Sequence, residues 1–441
     1  MQSTADPLRP DALPALRDDP EALEARFRAA PGAFASALPG ALAQRPDHLV
    51  LRAWAARLAA DGAAAQAEST VAVTEAGPFA LPLVGTLGRF AAVTVGLAVL
   101  AGTYAKLPAL FGIAEDSFYP RHLPFVVLPA FAALLAYRYR PARRPLLGVA
   151  GVFAAVWLWQ VLRPGAPESD TLILGLLHAT VLLGLVAGVA ALGRNWRSVE
   201  GRTAYLQLVA EVGAVTGLIL LGGGALTAIT LGLFAAVGVD LAETWFEWAG
   251  PYGVAAAPLV ALYVVSLRRS EARLAPVLAR FFGPLALAVL AVYLPVLLAK
   301  GAAPLSDRET LAAFDAMLAG VLVLVVLLAS ERPAAPRHWT DGVVVALALL
   351  ALVADAAALV ALAGRLAEGL TPNRTALLAA NVLGAVHLGG VLVVAARRRT
   401  GRPADAALER WTARLLPAYA GWAAVVVFLF PLVFGFDFGF D

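Results

Sequence analysis

Eleven long aliphatic runs, separated by short polar connections, constrain this chain more than any other feature. They cover approximately Gly85 to Ala105, His122 to Tyr137, Pro145 to Leu162, Thr171 to Leu192, Thr203 to Val237 and Pro251 to Leu267. The series continues with Phe281 to Leu298, Leu311 to Leu328, Gly342 to Ala363, Thr375 to Ala396 and Leu415 to Phe434. A helix needs about 20 apolar residues to cross roughly 30 Å of hydrocarbon, and soluble folds do not repeat such runs along their whole length. The expectation is an all-α, polytopic integral membrane bundle of about 11 transmembrane helices, preceded by a small helical soluble segment. With 60% hydrophobic and 15% charged residues and a mean hydropathy of +0.77, a soluble enzyme, a secreted domain and a nucleic-acid binder are excluded.

The 34 basic residues, only two of them lysines (Lys106 and Lys300), are sorted by loop rather than gathered on one face. Nineteen lie in alternate connections: Arg138 to Arg144, Arg194 to Arg202, Arg268 to Arg280, Arg332 and Arg337, and Arg397 to Arg414. The opposite loops hold seven, namely Lys106, Arg121, Arg163, Lys300, Arg308, Arg365 and Arg374. By the positive-inside rule this asymmetry places the amino terminus in the cytoplasm and the carboxyl terminus outside. The net charge of +3 therefore reads as topology, and no nucleic-acid partner is expected.

Residues 1–77 read as a cytoplasmic helical prefix and linker, and 78–441 as the transmembrane domain. Asp19-Pro20, followed by Glu21 and Glu24, is a helix start, with a capping acid, proline in the first turn and acids at the positive dipole end. Leu23, Phe27 and Ala30 then share a face. Pro46-Asp47 opens a second helix carrying Leu51, Trp54 and Leu58 until Asp61-Gly62, with Phe34 and Leu38 suited to pack between the two. Ala63 to Gly77 reads as linker. An amphipathic prefix of this kind either packs on itself or recruits a cytoplasmic protein partner.

The fifth run is too long for one crossing and too short for two. The expectation is one crossing broken near Gly222, Gly223 and Gly224, then a helix along the outer surface through Trp248. Asp240, Glu243 and Glu247 would share that helix's wet face, interleaved with Trp245, Phe246 and Trp248 at interfacial depth. The carboxyl tail, with Phe434, Phe436, Phe438 and Phe440, reads as an aromatic belt.

Ionisable groups inside spans are costly unless paired or wetted, so they are the first functional candidates. Asp355 and His387 lie near mid-bilayer in consecutive spans, and paired they would share a proton near neutral pH. His178, Glu211 and Asp315 would extend them into a stepped path if all five faced one cavity. Gln160, Thr227, Thr230 and Asn381 are further donors, of a type that also glues helices together. The absence of cysteine removes thiolate chemistry and disulfides. No haem-binding pattern, metal cluster, phosphate loop or acid/base pair is present, so no cofactor, metal or catalytic residue is expected, and an enzyme is the weaker reading.

Three stretches together carry a resemblance: Val209-Ala210-Glu211-Val212 through Leu231-Gly232-Leu233-Phe234; Arg280-Phe281-Phe282-Gly283-Pro284 through Tyr293 to Lys300; and Gly369-Leu370-Thr371-Pro372-Asn373-Arg374. The set resembles the bacterial multipass membrane family called domain of unknown function 4153, over roughly the second half of the chain. Members usually place an aromatic after the arginine, where this chain has Thr375. The resemblance implies a bacterial inner-membrane protein of permease-like character and assigns no site residues. Physically, Thr371 can cap the tenth span and Pro372 suits its first turn. Asn373 and Arg374 are candidate contacts for an anion at the helix's positive end. The sequence leaves two readings open: a permease or proton-coupled transporter of a small solute, and a membrane scaffold or sensor that recruits a partner through the amino-terminal helices.

Overall fold

The computed structural model describes residues 20–29, 31–44, 47–55, 57–58, 87–236, 239–267, 274–300, 308–330, 339–367, 369–399 and 407–437. Asp19, Ala30, Pro46, Asp61-Gly62, the linker, Phe438 and Phe440 lie outside these residues, as do Arg268, Arg269, Arg273, Arg332, Arg337 and Arg402. The chain divides into two units, Met1–Ala80 and Leu81–Asp441.

In the first unit, α1 (Pro20–Ala29) begins at the expected proline, and residues 49–55 are helical. Between them lies α2 (Pro31–Gln44), which the sequence reading does not assign as a helix. Its Ala/Gly-rich sequence with an internal Pro39 carries little helical signal, and burial supplies what propensity does not. Phe34, Leu38 and Ala41 from α2 join Leu23, Leu51 and Trp54 in one apolar core, with Phe27 and Leu58 packed on its edge. The Phe27, Phe34 and Trp54 rings meet with centroids 5.0 to 5.7 Å apart. The Arg57 guanidinium lies 4.7 Å from the Trp54 ring centroid and donates to Glu24 at 3.0 Å. Glu24 also accepts from Arg28 at 2.8 Å. The Arg28 hydrogen bond is the chief cause holding this carboxyl below the usual glutamate range, and Arg57 adds to it.

The second unit is an all-α polytopic membrane bundle. Its principal helices are α3 (Leu87–Ala105), α4 (Glu115–Tyr139), α5 (Arg143–Leu162), α6 (Asp170–Leu192), α7 (Val199–Ala236) and α8 (Gly250–Leu267). They continue with α9 (Ala275–Lys300), α10 (Arg308–Ser330), α11 (Trp339–Leu366), α12 (Pro372–Arg399) and α13 (Ala407–Phe428). Among the described residues ten helical stretches are long and apolar enough to cross a membrane, and Phe314–Leu328 in α10 is a shorter apolar helix. These match the eleven aliphatic runs one for one. No strand occurs among the described residues.

Two groups of helices make the bundle. In one, α3 packs on α8 and α4, while α6 packs on α4 and α5. In the other, α11 packs on α12, α10 and α9 around a core that includes Leu294, Val325, Leu347, Ala351 and Val391. Helix α7 packs on α8 of the first group, and α13 contacts α6 and α7 on that side and α12 and α10 of the second group. Close approach depends on small residues, as membrane packing requires. A methyl group at Gly102 would run into the Tyr252 ring, and one at Gly390 into the Trp411 indole. Helix α4 stays continuous through Pro120, Pro124 and Pro129.

The fifth run corrects the sequence reading. Helix α7 is one unbroken helix of 38 residues, running straight through Gly222, Gly223 and Gly224. Each glycine costs about 1 kcal/mol of helix propensity. A broken backbone in hydrocarbon costs several kcal/mol per unsatisfied group unless protein or water covers it. Among the described residues nothing lies within 4 Å of where a side-chain methyl would sit at any of the three glycines, so none of them offers cover for freed N–H and C=O groups there, and the helix continues. At roughly 1.5 Å per residue it spans about 57 Å, more than one bilayer thickness. The segment through Trp248 is likewise not a separate surface helix. Asp240 accepts from the Ala242 backbone N–H at 2.9 Å, and Ala242–Leu267 forms the next membrane-length stretch, with a π-helical turn at Trp245–Ala249.

Candidate functional site

Helix α11 buries a stripe at three- and four-residue spacing: Val344, Leu347, Ala348, Ala351, Ala354, Ala358 and Leu362. Asp355 lies within that stripe and is 3% exposed. Its Oδ2 is buried without a hydrogen-bond partner among the described residues. Asp315 on α10 is a charged group within electrostatic reach of it. Asp315 accepts a hydrogen bond from the Asn381 amide of α12 at 3.2 Å through Oδ1, while its own Oδ2 is buried and unpartnered. Three adjacent helices thus bring together two carboxyl groups and one carboxamide, with two acceptor oxygens unused. An unsatisfied buried carboxylate oxygen costs at least about 1–3 kcal/mol, so a bound proton or small cation would relieve a standing penalty.

His387 does not join this group, although the sequence placed it opposite Asp355 at matched depth. Its Nδ1 is 3.0 Å from the Tyr419 hydroxyl and its Nε2 is 3.1 Å from Thr412 Oγ1, both on α13. Its backbone carbonyl accepts from Trp411 Nε1 at 3.0 Å. The six-residue separation from Asn381 explains the outcome. At about 100° per residue the two side chains leave α12 on different faces, so Asn381 meets α10 while His387 meets α13. Thr412 and Tyr419 were missed from sequence. Their spacing of seven residues, two helical turns on one face, is the signal that would have paired them.

The stepped path of five groups is not formed. His178 is tied to its own helix, with Nδ1 2.9 Å from the Leu174 carbonyl. Glu211, buried on α7, accepts from the Leu274 backbone N–H at 2.6 Å, just before α9 begins, and so anchors the start of that helix. Only Asp315 and Asp355 of the five share a neighbourhood. Among the described residues no group of three or more His, Cys, Asp or Glu is arranged to hold a metal ion.

The Thr371-Pro372-Asn373-Arg374 segment starts α12 as its chemistry suggests, with Thr371 Oγ1 accepting from the Arg374 N–H at 3.3 Å. Its two anion-contact candidates are engaged within the chain. The Asn373 amide donates to Asp170 at the start of α6, and Arg374 donates to the carbonyls of Arg365 at 2.7 Å and Gly369 at 2.9 Å. The motif joins α6, the end of α11 and the start of α12.

A second polar cluster was not singled out from sequence beyond Gln160. Arg163 is buried and donates to the Thr171 carbonyl and hydroxyl at 3.2 and 3.0 Å. Ser169 and Thr171 in turn donate to the Phe436 and Gly435 carbonyls of the carboxyl-terminal tail. The tail therefore closes over the α5–α6 loop instead of forming only an aromatic belt. Burial, with the like charge of Arg121 adding to it, lowers the Arg163 guanidinium to about 10, leaving it cationic at neutral pH. No family model, no curated protein and no solved structure matches this chain.

Proposed function

We propose that this protein is a permease-like, proton-coupled carrier of a small solute, with Asp355 and Asp315 as the groups that take up and release the coupling proton. The observation that carries the reading is the unpartnered carboxylate oxygen of Asp355, buried in the apolar stripe of α11 beside Asp315. Ionisable residues persist at membrane depth chiefly where they pair, face water or serve transport. Asn381 positions Asp315 and leaves its second oxygen free. His387 drops out of the relay, because its ring nitrogens are taken by α13. The proposal includes residence in a bacterial inner membrane with the amino terminus cytoplasmic, supported by the sorting of arginines among loops, and membership of the 4153 family, supported by the three quoted stretches.

The test is proton uptake into proteoliposomes carrying a trapped pH dye, on addition of a panel of amino acids, sugars, organic acids and organic cations. At least one solute is expected to drive acidification that Asp355→Asn abolishes. If no solute raises the flux above that of empty vesicles, or if Asp355→Asn retains it, the reading fails. A second reading, a scaffold or sensor acting through the first unit, has the support of that unit's own aromatic core. A protein partner that co-purifies with the full chain and is lost when the residues before Gly77 are deleted would favour it.

A further inference from the structure

An open cavity of about 500 Å³ lies between the start of α4, the α5–α6 loop and α6. It involves none of the helices that carry Asp315, Asp355 and Asn381. Its walls are apolar, built from Leu123, Ile173 and Leu176 and the ring of Tyr119. The Tyr119 hydroxyl is turned away, donating to the Ala105 carbonyl at 3.0 Å. Two carboxylates, Asp116 and Glu168, complete the lining, and both are exposed. Neither forms a hydrogen bond or ion pair with any described residue.

The lining favours a cation, since it holds two carboxylates and no basic residue. Arg121 directs its guanidinium to the carbonyls of Ser117 at 3.2 Å and Gly165 at 2.6 Å. Arg163 turns its two terminal nitrogens to Thr171. Of the neighbouring acids, Asp170 accepts from Asn373 and Asp437 from the Ala166 N–H. A ligand here would meet an apolar body-sized space, an aromatic face and two unneutralised acids at the rim. A cation over an aromatic ring gains about 0.5–1 kcal/mol at an exposed site, and pockets of roughly 300–1,000 Å³ accept small organic ligands.

We propose that this cavity binds an amphipathic organic cation, with the apolar part against Leu123, Ile173 and Leu176 and the ammonium group between Asp116 and Glu168. The site stands independently of the proton-coupling reading, because binding is read without flux.

The experiment is equilibrium binding of radiolabelled decyltrimethylammonium to the full chain in phosphatidylcholine nanodiscs, against empty nanodiscs, with decanol and decyl sulfate as uncharged and anionic comparisons. Saturable binding of one decyltrimethylammonium per chain is expected. The double variant Asp116→Asn/Glu168→Gln should weaken it about fivefold, as two exposed charge contacts allow, and leave decanol binding unchanged. Leu176→Trp, which fills the cavity, should remove binding of both. No saturable excess over empty nanodiscs would overturn the proposal, as would decyl sulfate binding as tightly as the ammonium. Full retention of ammonium affinity in the double variant would overturn it too, and since both substituted residues are exposed, misfolding would not account for that outcome.

Discussion

Two polar regions of the second unit sit one helix apart and are built on opposite terms. Around His387, between α12 and α13, ring nitrogens and backbone carbonyl all have partners in Tyr419, Thr412 and Trp411. Around Asp355 and Asp315, among α10, α11 and α12, two carboxylate oxygens are buried with none among the described residues. The first region is a set of interhelical hydrogen bonds that holds the bundle together. The second costs stability as it stands, and a cost of that kind persists in a native protein when something outside the fold requires it. The difference separates polar residues that serve packing from those available for chemistry, although both types look alike in a hydropathy plot.

The comparison breaks most visibly at His387. His387→Ala leaves two hydroxyls without a partner and a cavity against α13, and should cost about 2–4 kcal/mol, seen as a lower unfolding midpoint in nanodiscs. Gly390→Ala should act in the same region and lose about 1–3 kcal/mol, because the new methyl meets the Trp411 indole and displaces its bond to the His387 carbonyl. A midpoint unchanged by either would mean that the α12–α13 contact is not the structural joint described.

Smaller effects sharpen the other side. Asn381→Leu removes a donor to Asp315 and should lower the midpoint by about 1 kcal/mol. It should also reduce any solute-driven proton flux, since Asp315 loses its orientation. Equal flux with normal expression would detach Asn381 from the site. In the first unit, Glu24 gives a pH-dependent counterpart. Its carboxyl is held below the ordinary 4.5 by Arg28 and Arg57, so its stabilising contribution is complete above the unfolded value and is lost as pH falls through the folded one. The ¹⁹F resonance of labelled Trp54, assigned with Trp54→Phe, should shift toward its unfolded position in acid, at a pH that Glu24→Gln makes insensitive to this group.

The fold was largely legible in the sequence, because eleven apolar runs can satisfy their backbone in hydrocarbon only as helices. The exception at Gly222 to Gly224 is instructive. Local composition favoured a break, but no described residue lies close enough to the three glycines to cover one, a circumstance invisible in sequence. The site was legible in part. Depth could be counted along each span, which found Asp355, Asp315 and His387, but the azimuth around each helix could not be fixed from one chain. Asn381 and His387 therefore turned to different neighbours, and Glu211 turned out to hold the start of α9. Asp116 and Glu168 escaped notice because one lies in the first turn of α4, ahead of its aliphatic run, and the other in the α5–α6 loop, places where acids are ordinary.

The central claim is that Asp355 is retained for what it binds and not for what it holds together. The most direct test is the thermal midpoint of Asp355→Leu beside that of the wild-type protein, both in nanodiscs of the same lipid. A leucine removes the unpartnered Oδ2 from an otherwise apolar stripe, and the account predicts a raised midpoint, equivalent to about 1–3 kcal/mol of added stability. A midpoint lowered to the extent expected for His387→Ala would contradict it, placing Asp355 among the residues that hold the bundle together.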